Sequence, residues 1–290
     1  MTAEVVLSSL ANGIMLGGLY ALVALGLTLI FGVMKVINFA HGSLMMLAMY
    51  ASFWLATTAG LDPYLSLLLT LPAAFAFGYA IQRAVIAPVL RAPEHNQLLM
   101  TLGLALFLDN LALVVFTADP RTLLVAYSQT TVPLGPVRLN LPRLLAFGGA
   151  LLISGLLWLF LKTTDLGRAL RASSEERDGA ALCGIPVGRV YAVAFGIGTA
   201  CVAAAGGMAV PFFYVSPEVG NTFVITAFVV VVLGGLGSFP GALVGGLLVG
   251  VVESLGGLIF HGSLAQIGIF ALFVAVLLVR PAGLLGARHA

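Results

Sequence analysis

The sequence predicts an all-α, polytopic transmembrane helical bundle of about nine spans, with eight and ten as the neighbouring counts. Three observations predict it. Of 290 residues, 61% are hydrophobic and only 8% are charged, against about 25% charged in a soluble domain, and the mean hydropathy is +1.13. Uncharged runs of span length recur at 5–34, 36–61, 63–82, 144–161, 190–217, 219–252 and 254–279, and 95–118 is interrupted only by Asp109. Glycine, with 35 copies, recurs at the spacing that lets membrane helices approach closely. A water-soluble domain could not hide this much apolar surface, which excludes a soluble enzyme and a disordered chain. The 13 basic and 11 acidic residues nearly cancel, so there is no electrostatic footprint for nucleic acid.

Each span follows from length and punctuation. A helix needs about 20 apolar residues, at about 1.5 Å each, to cross about 30 Å of hydrocarbon. The first, 5–31, has no Lys or Arg before Lys35, so it lacks the basic start of a cleaved leader and is expected to stay in the mature protein. The second, 37–58, follows a broken stretch from Ile30 to Gly42. The third and fourth are 64–82 and 97–117, and a loop with Pro120, Pro133, Pro136 and Pro142 separates them from the fifth at 144–161. The segment 162–189 has the densest charge in the chain and precedes the sixth span, 190–211. The run 219–252 is too long for one helix. Gly234 to Gly241, with Pro240, divides it into 222–236 and 242–260. The ninth span is 264–280. Residues 1–290 thus read as a single transmembrane domain with one charged loop at 162–189.

Alternation of nine spans sorts the basic loops. One side collects Lys35, Arg83, Arg91, Lys162, Arg168, Arg171, Arg177, Arg189, Arg280 and Arg288; the other collects Arg121, Arg138 and Arg143. The richer side is expected to be cytoplasmic, which puts the N-terminus outside and the C-terminus inside.

Several chemistries are missing. Lys35 follows Met34 and Lys162 follows Leu161, so neither lysine completes a phosphate-binding loop. None of the four histidines begins a His-Glu-x-x-His motif, and no serine has the nucleophile-elbow spacing. Enzyme activity, a metal site and a bound cofactor are not expected. Cys183 and Cys201 lack metal or disulfide spacing and read as small apolar residues.

Other signals carry alternatives. Gly13 with Gly17, Gly241 with Gly245, and Gly246 with Gly250 have close-packing spacing, for bundle packing or a specific association face. The broken stretches, containing Gly32 and Gly42 in one and Gly237 and Pro240 in the other, are either interrupted helices lining a path or turns at the membrane face. Asn38 and His41 share one helix face, where a polar pair lines a pathway, caps the helix or joins neighbouring helices. Glu253 shares a face with Gly246, Gly250 and Gly257, and Asp109 with Thr101, Ala105 and Ala112. Each acid reads as a gate or proton relay, or as a paired structural group. In the charged loop, Leu166, Ala169 and Leu170 form a small apolar face on a helix that Gly184 and Pro186 end. It is a solvated connector or a docking helix.

Four motifs, in order, carry a resemblance. They are Gly26-Leu-Thr-Leu-Ile-Phe-Gly-Val-Met-Lys-Val-Ile-Asn-Phe-Ala-His-Gly42; Gly167-Arg-Ala-Leu-Arg-Ala172 with Ala180-Ala-Leu-Cys-Gly-Ile185; Leu233-Gly-Gly-Leu-Gly-Ser-Phe-Pro-Gly-Ala242; and Arg280-Pro-Ala-Gly-Leu284. Together they resemble the permease family of branched-chain amino acid ABC importers, in the type without a large extra N-terminal region. The resemblance runs from near residue 10 to the C-terminus. It implies an inner-membrane subunit of a bacterium, working with a sister permease, two cytoplasmic ATPase subunits and a periplasmic binding protein. It implies a substrate that is a branched-chain or other apolar amino acid; urea or a short amide is the alternative, and a proton-driven carrier or a purely structural subunit are the alternatives of other classes. It also makes 165–186 the ATPase coupling segment, with Leu166, Arg168, Ala169, Leu170, Arg171, Glu176, Asp178, Ala180, Ala181 and Gly184. The family's Glu-Ala-Ala signature stands here as Asp178-Gly179-Ala180-Ala181, with Gly184 at a non-standard spacing.

Overall fold

The computed structural model describes residues 3–135, 137–259 and 265–286. Its helices are α1 (Ala3–Met34), α2 (His41–Ala59), α3 (Pro63–Ile81), α4 (Glu94–Phe116), α5 (Leu141–Thr163), α6 (Asp165–Glu175), α7 (Arg177–Leu182), α8 (Val187–Ala209), α9 (Val219–Gly234), α10 (Phe239–Ile259) and α11 (Ala265–Val279). A hairpin of β1 (Thr131–Leu134) and β2 (Val137–Asn140) precedes α5, with Thr131 opposite Asn140.

α1 and α8 form the centre. Both are apolar on all sides, and a helix of that kind must be surrounded. Over their most apolar stretches 83% and 89% of residues are buried, against 22% in α3, α4 and α5. Those three therefore form the outer face of the bundle. Among the described residues, six helices are long and apolar enough to cross a membrane: α1, α3 with its continuation to Val89, α4, α5, α8 and α10. The other three expected spans are different. α2 is more polar, and α9 and α11 have only 16 and 15 residues.

The reason is that α2 and α9 both begin inside the bundle. At Lys35 the backbone turns to φ 57°, and 35–40 runs back along α1 without helical structure, so α2 starts at His41 and not at the expected residue 37. The His41 ring reaches the Val23 carbonyl, 3.0 Å away. Val23 lies midway along α1 between Asn12 and Met34. The first turn of α9 then crosses that of α2, backbone against backbone. A methyl on Gly220 would fall 2.7 Å from the Gly42 carbonyl carbon.

Loops expected on one side do gather at one end. At the first end, Tyr127 donates to Asp62 (2.6 Å), Tyr64 donates to the Pro142 carbonyl (2.8 Å), and Arg121 exchanges backbone bonds with Val215 (2.8 and 2.7 Å). At the other end, Gly235 packs on Gly283 and Gly286, and Leu284 and Leu285 donate to the carbonyls of Leu233 and Gly234. The break at 234–241 is thus a turn at the bundle end, with Gly235 at φ 104° and Gly237 at φ 81°.

Asp62 does two jobs, because its other oxygen caps α3 through the Tyr64 N–H at 2.9 Å. Burial, and then the Asp62 carboxylate, hold the Tyr127 phenol above its ordinary value. A raised phenol stabilises the fold fully below its unfolded value of about 10 and loses that contribution only as pH rises through the folded value. Tyr127→Phe is therefore expected to cost about 1 kcal/mol, equally at pH 6 and pH 8, in thermal melts of the detergent-solubilised protein.

Candidate functional site

The unwound segment is the most unusual polar feature in the core. Its freed backbone groups must be satisfied by protein at this depth. The Thr101 hydroxyl donates to the Ile37 carbonyl (3.0 Å), and Asn38 Oδ1 accepts from the Ala40 N–H (3.1 Å). A carbonyl can only accept, so the ring nitrogen of His41 that meets Val23, Nε2, carries a hydrogen. Asn38 and His41 are both 0% exposed. Among the described residues, Asn38 Nδ2 and His41 Nδ1 have no hydrogen-bond partner. One is a donor and the other, in neutral imidazole, an acceptor. Gly26 leaves room for the His41 ring, because a methyl there would fall 3.1 Å from it.

The two acids lie on two other helices, α4 and α10. Asp109 is half-buried on the face of α4 that carries Thr101, Ala105 and Ala112, beside the Ser43 hydroxyl of α2. Glu253 on α10 lies beside the Tyr20 hydroxyl and within coulombic reach of Arg143. Arg143 donates to Asn12 (3.4 Å) near the first end of the bundle, so Glu253 sits toward that end rather than at mid-depth. Each acid keeps one oxygen without a partner.

The glycine motifs divide between two faces of α10. Gly246 and Gly250 pack on α1 against Ala21, Gly17 and Gly13, whereas Gly241 and Gly245 pack on α9 against Gly234 and Val230. Gly32 and Gly237 face each other with room to spare: a methyl on Gly32 would fall 3.8 Å from Gly237 Cα and one on Gly237 would fall 3.7 Å from Gly32 Cα, both ordinary contact distances. Both line a cavity of about 380 Å³ under α6, together with Trp158, Lys162 and Arg171. Pro240 occupies the second position of α10, where a missing N–H costs nothing, and Ser238 caps that helix through the Gly241 N–H (3.2 Å).

The charged segment folds into two short helices. Thr164 caps α6 through the Gly167 N–H (3.0 Å), and Glu176 caps α7. Arg168 pairs with Asp165. The apolar face expected on α6 is divided: Leu170 is 1% exposed and packs on its own bundle, whereas Leu166 is 36% exposed. The outward knob is Leu182, at the tip of α7, with 89% exposure. Around it Arg177, Asp178, Ala181, Cys183 and Gly184 are exposed, while Ala180 is buried. Gly184 holds φ 80°, which ends α7 sharply.

Two groups escaped the sequence reading. Leu182 lies outside the i, i+3, i+4 face assigned to a single helix; in the structure Glu176 breaks that helix and caps a second one. Glu218, Asn221 and Thr222 share the exposed side of the first turn of α9. They stand at the edge of a predicted span and read there as loop.

A family model described as branched-chain amino acid transport system / permease component matches residues 9–277. The high-affinity branched-chain amino acid transport system permease protein BraD of Pseudomonas aeruginosa is 33% identical, over 97% of this chain and 95% of that protein. The corresponding LivH protein of Escherichia coli K12 is 32% identical over the same shares. Among solved structures, PsaBC from Streptococcus pneumoniae in complex with Fab superposes with a TM-score of 0.52 over 94% of this chain and 92% of that one. At 13% identity that likeness concerns the fold alone.

Proposed function

This chain belongs to the branched-chain amino acid transport permease family, and from that membership we propose that it is one permease subunit of an ATP-driven importer for branched-chain or other apolar amino acids. It works in the inner membrane of a bacterium beside a sister permease. A periplasmic binding protein delivers the substrate at the first end of the bundle, and two ATPase subunits dock on α6 and α7 at the other. Nine spans with the N-terminus outside fit this arrangement, because the loops richest in Lys and Arg gather at the α6–α7 end.

The observation that carries the reading is the buried unwound segment with one spare donor and one spare acceptor at mid-depth. A zwitterion crossing hydrocarbon needs polar groups in place of its water. Asn38 Nδ2 suits its carboxylate and His41 Nδ1 suits its ammonium. Asp109 and Glu253 are not needed for this passage.

The test is uptake of labelled leucine and labelled urea by liposomes holding the four membrane-associated subunits, with binding protein outside and ATP inside. Leucine should accumulate only with ATP, and urea should not. Asn38→Leu should lower leucine uptake at least tenfold while binding-protein-stimulated ATP hydrolysis persists. Accumulation by this chain without its partners would defeat the reading, as would ATP-driven uptake of urea alone.

A further inference from the structure

On the transport reading above, one polar patch has no place in a lipid-facing wall. Glu218, Asn221 and Thr222 lie at i, i+3 and i+4, and all three are exposed. Their neighbour Gly220 crosses Gly42, next to the His41 ring, which meets α1 at Val23, midway between Asn12 and Met34. The patch therefore stands in the middle or the outer half of the membrane. Bare polar side chains persist at that depth only where they meet water or other polar groups.

Beside the patch, between α9 and α11, is a cavity of about 280 Å³. Drug-sized ligands begin to fit at about 300 Å³, so this space suits a smaller solute. Its lining has two characters. Asn221, Thr222 and Gln266 make one part polar, and Ile225, Ile269 and Phe270 make the other apolar. Glu218, one turn before Asn221 and Thr222, adds a carboxylate on the same face.

We propose that this cavity is a binding site for the zwitterion of an apolar amino acid, ahead of the Asn38–His41 segment. The ammonium meets the Glu218 carboxylate. The carboxylate accepts from the amide N–H groups of Asn221 and Gln266 and from the Thr222 hydroxyl. The branched side chain lies on Ile225, Ile269 and Phe270. An all-polar solute such as urea gains nothing from that wall, so the site favours an apolar amino acid over urea.

The experiment uses the complete assembly in membrane vesicles, with Cys183→Ser in this chain; Cys201 is buried. Thr222→Cys, and separately Asn221→Cys, are exposed to a charged thiol reagent that does not cross lipid. Both should be modified, and leucine delivered by the binding protein should slow modification several-fold, whereas urea should not. Glu218→Gln should lower leucine uptake about tenfold, the loss of one charge-assisted contact, with stimulated ATP hydrolysis retained. Thiols that stay unmodified, or whose modification leucine does not slow, overturn the site. Failure of the unsubstituted assembly to import leucine with ATP defeats the transport reading itself and is distinct from these outcomes.

Discussion

Replacing Gly17 with leucine is expected to lower the melting temperature of the detergent-solubilised protein by about 2–12 °C. A methyl group at Gly17 would fall 2.7 Å from Leu247 Cα and 2.8 Å from the Gly246 carbonyl oxygen. Both are backbone atoms of α10, so no side chain can swing aside. One turn earlier, a methyl at Gly13 would fall 2.9 Å from the Gly250 carbonyl oxygen. The whole α1–α10 interface must then open, and α1 is the central helix. Overpacking of a filled core costs about 1–3 kcal/mol, and each kcal/mol moves the midpoint of a chain this size by about 2–4 °C. Gly155→Leu is the control, because nothing lies within 4 Å of a methyl there. A Gly17→Leu protein that melts with the unsubstituted one would show that α1 and α10 are not held by backbone contact.

Leu182→Glu is expected to leave the chain folded and to remove ATP-driven uptake. With 89% of its surface exposed, Leu182 contributes little to the fold of its own chain. An isolated apolar knob at the tip of a short helix, ringed by exposed charged and small residues, has the form of a docking anchor. Loss of a central anchor costs at least about 2 kcal/mol, or about thirtyfold in affinity. Leucine uptake by the reconstituted assembly and pull-down of the ATPase subunits should fall together, with an unchanged melting curve. Leu170→Ala should behave in the opposite way. That side chain is 1% exposed, and its truncation leaves a cavity costing about 2–5 kcal/mol. Full uptake by Leu182→Glu would move the coupling surface away from α7.

How legible each part was depended on whether its signal was local. The runs of uncharged residues located the long helices because lipid demands about 20 apolar residues whatever the neighbours are. The Gly and Pro cluster at 234–241 marked a real turn for the same reason. The unwound segment was harder. Val36, Ile37 and Phe39 look as apolar as a helix interior; the freed Ile37 carbonyl is taken up by Thr101, and the His41 ring at the end of the segment is held by Val23, both distant in sequence. The face of α6 was legible only in part. Its periodicity brings Leu166, Ala169 and Leu170 together, but periodicity does not say which of two surfaces, bundle or partner, each of them will meet, and Leu170 meets the bundle.

By itself the sequence determined the class of molecule, its helical construction, its family and the glycine spacing of its closest contacts. Those follow from composition and from distances along the chain, which solvent and helix geometry constrain directly. Only the tertiary structure decided that α2 and α9 begin inside the bundle, that Asn38 and His41 lie together at mid-depth, and that Leu182 is the residue turned outward. Each of these depends on which remote backbone satisfies which freed polar group and which side chain fills which gap, and that pairing is fixed only when the helices pack.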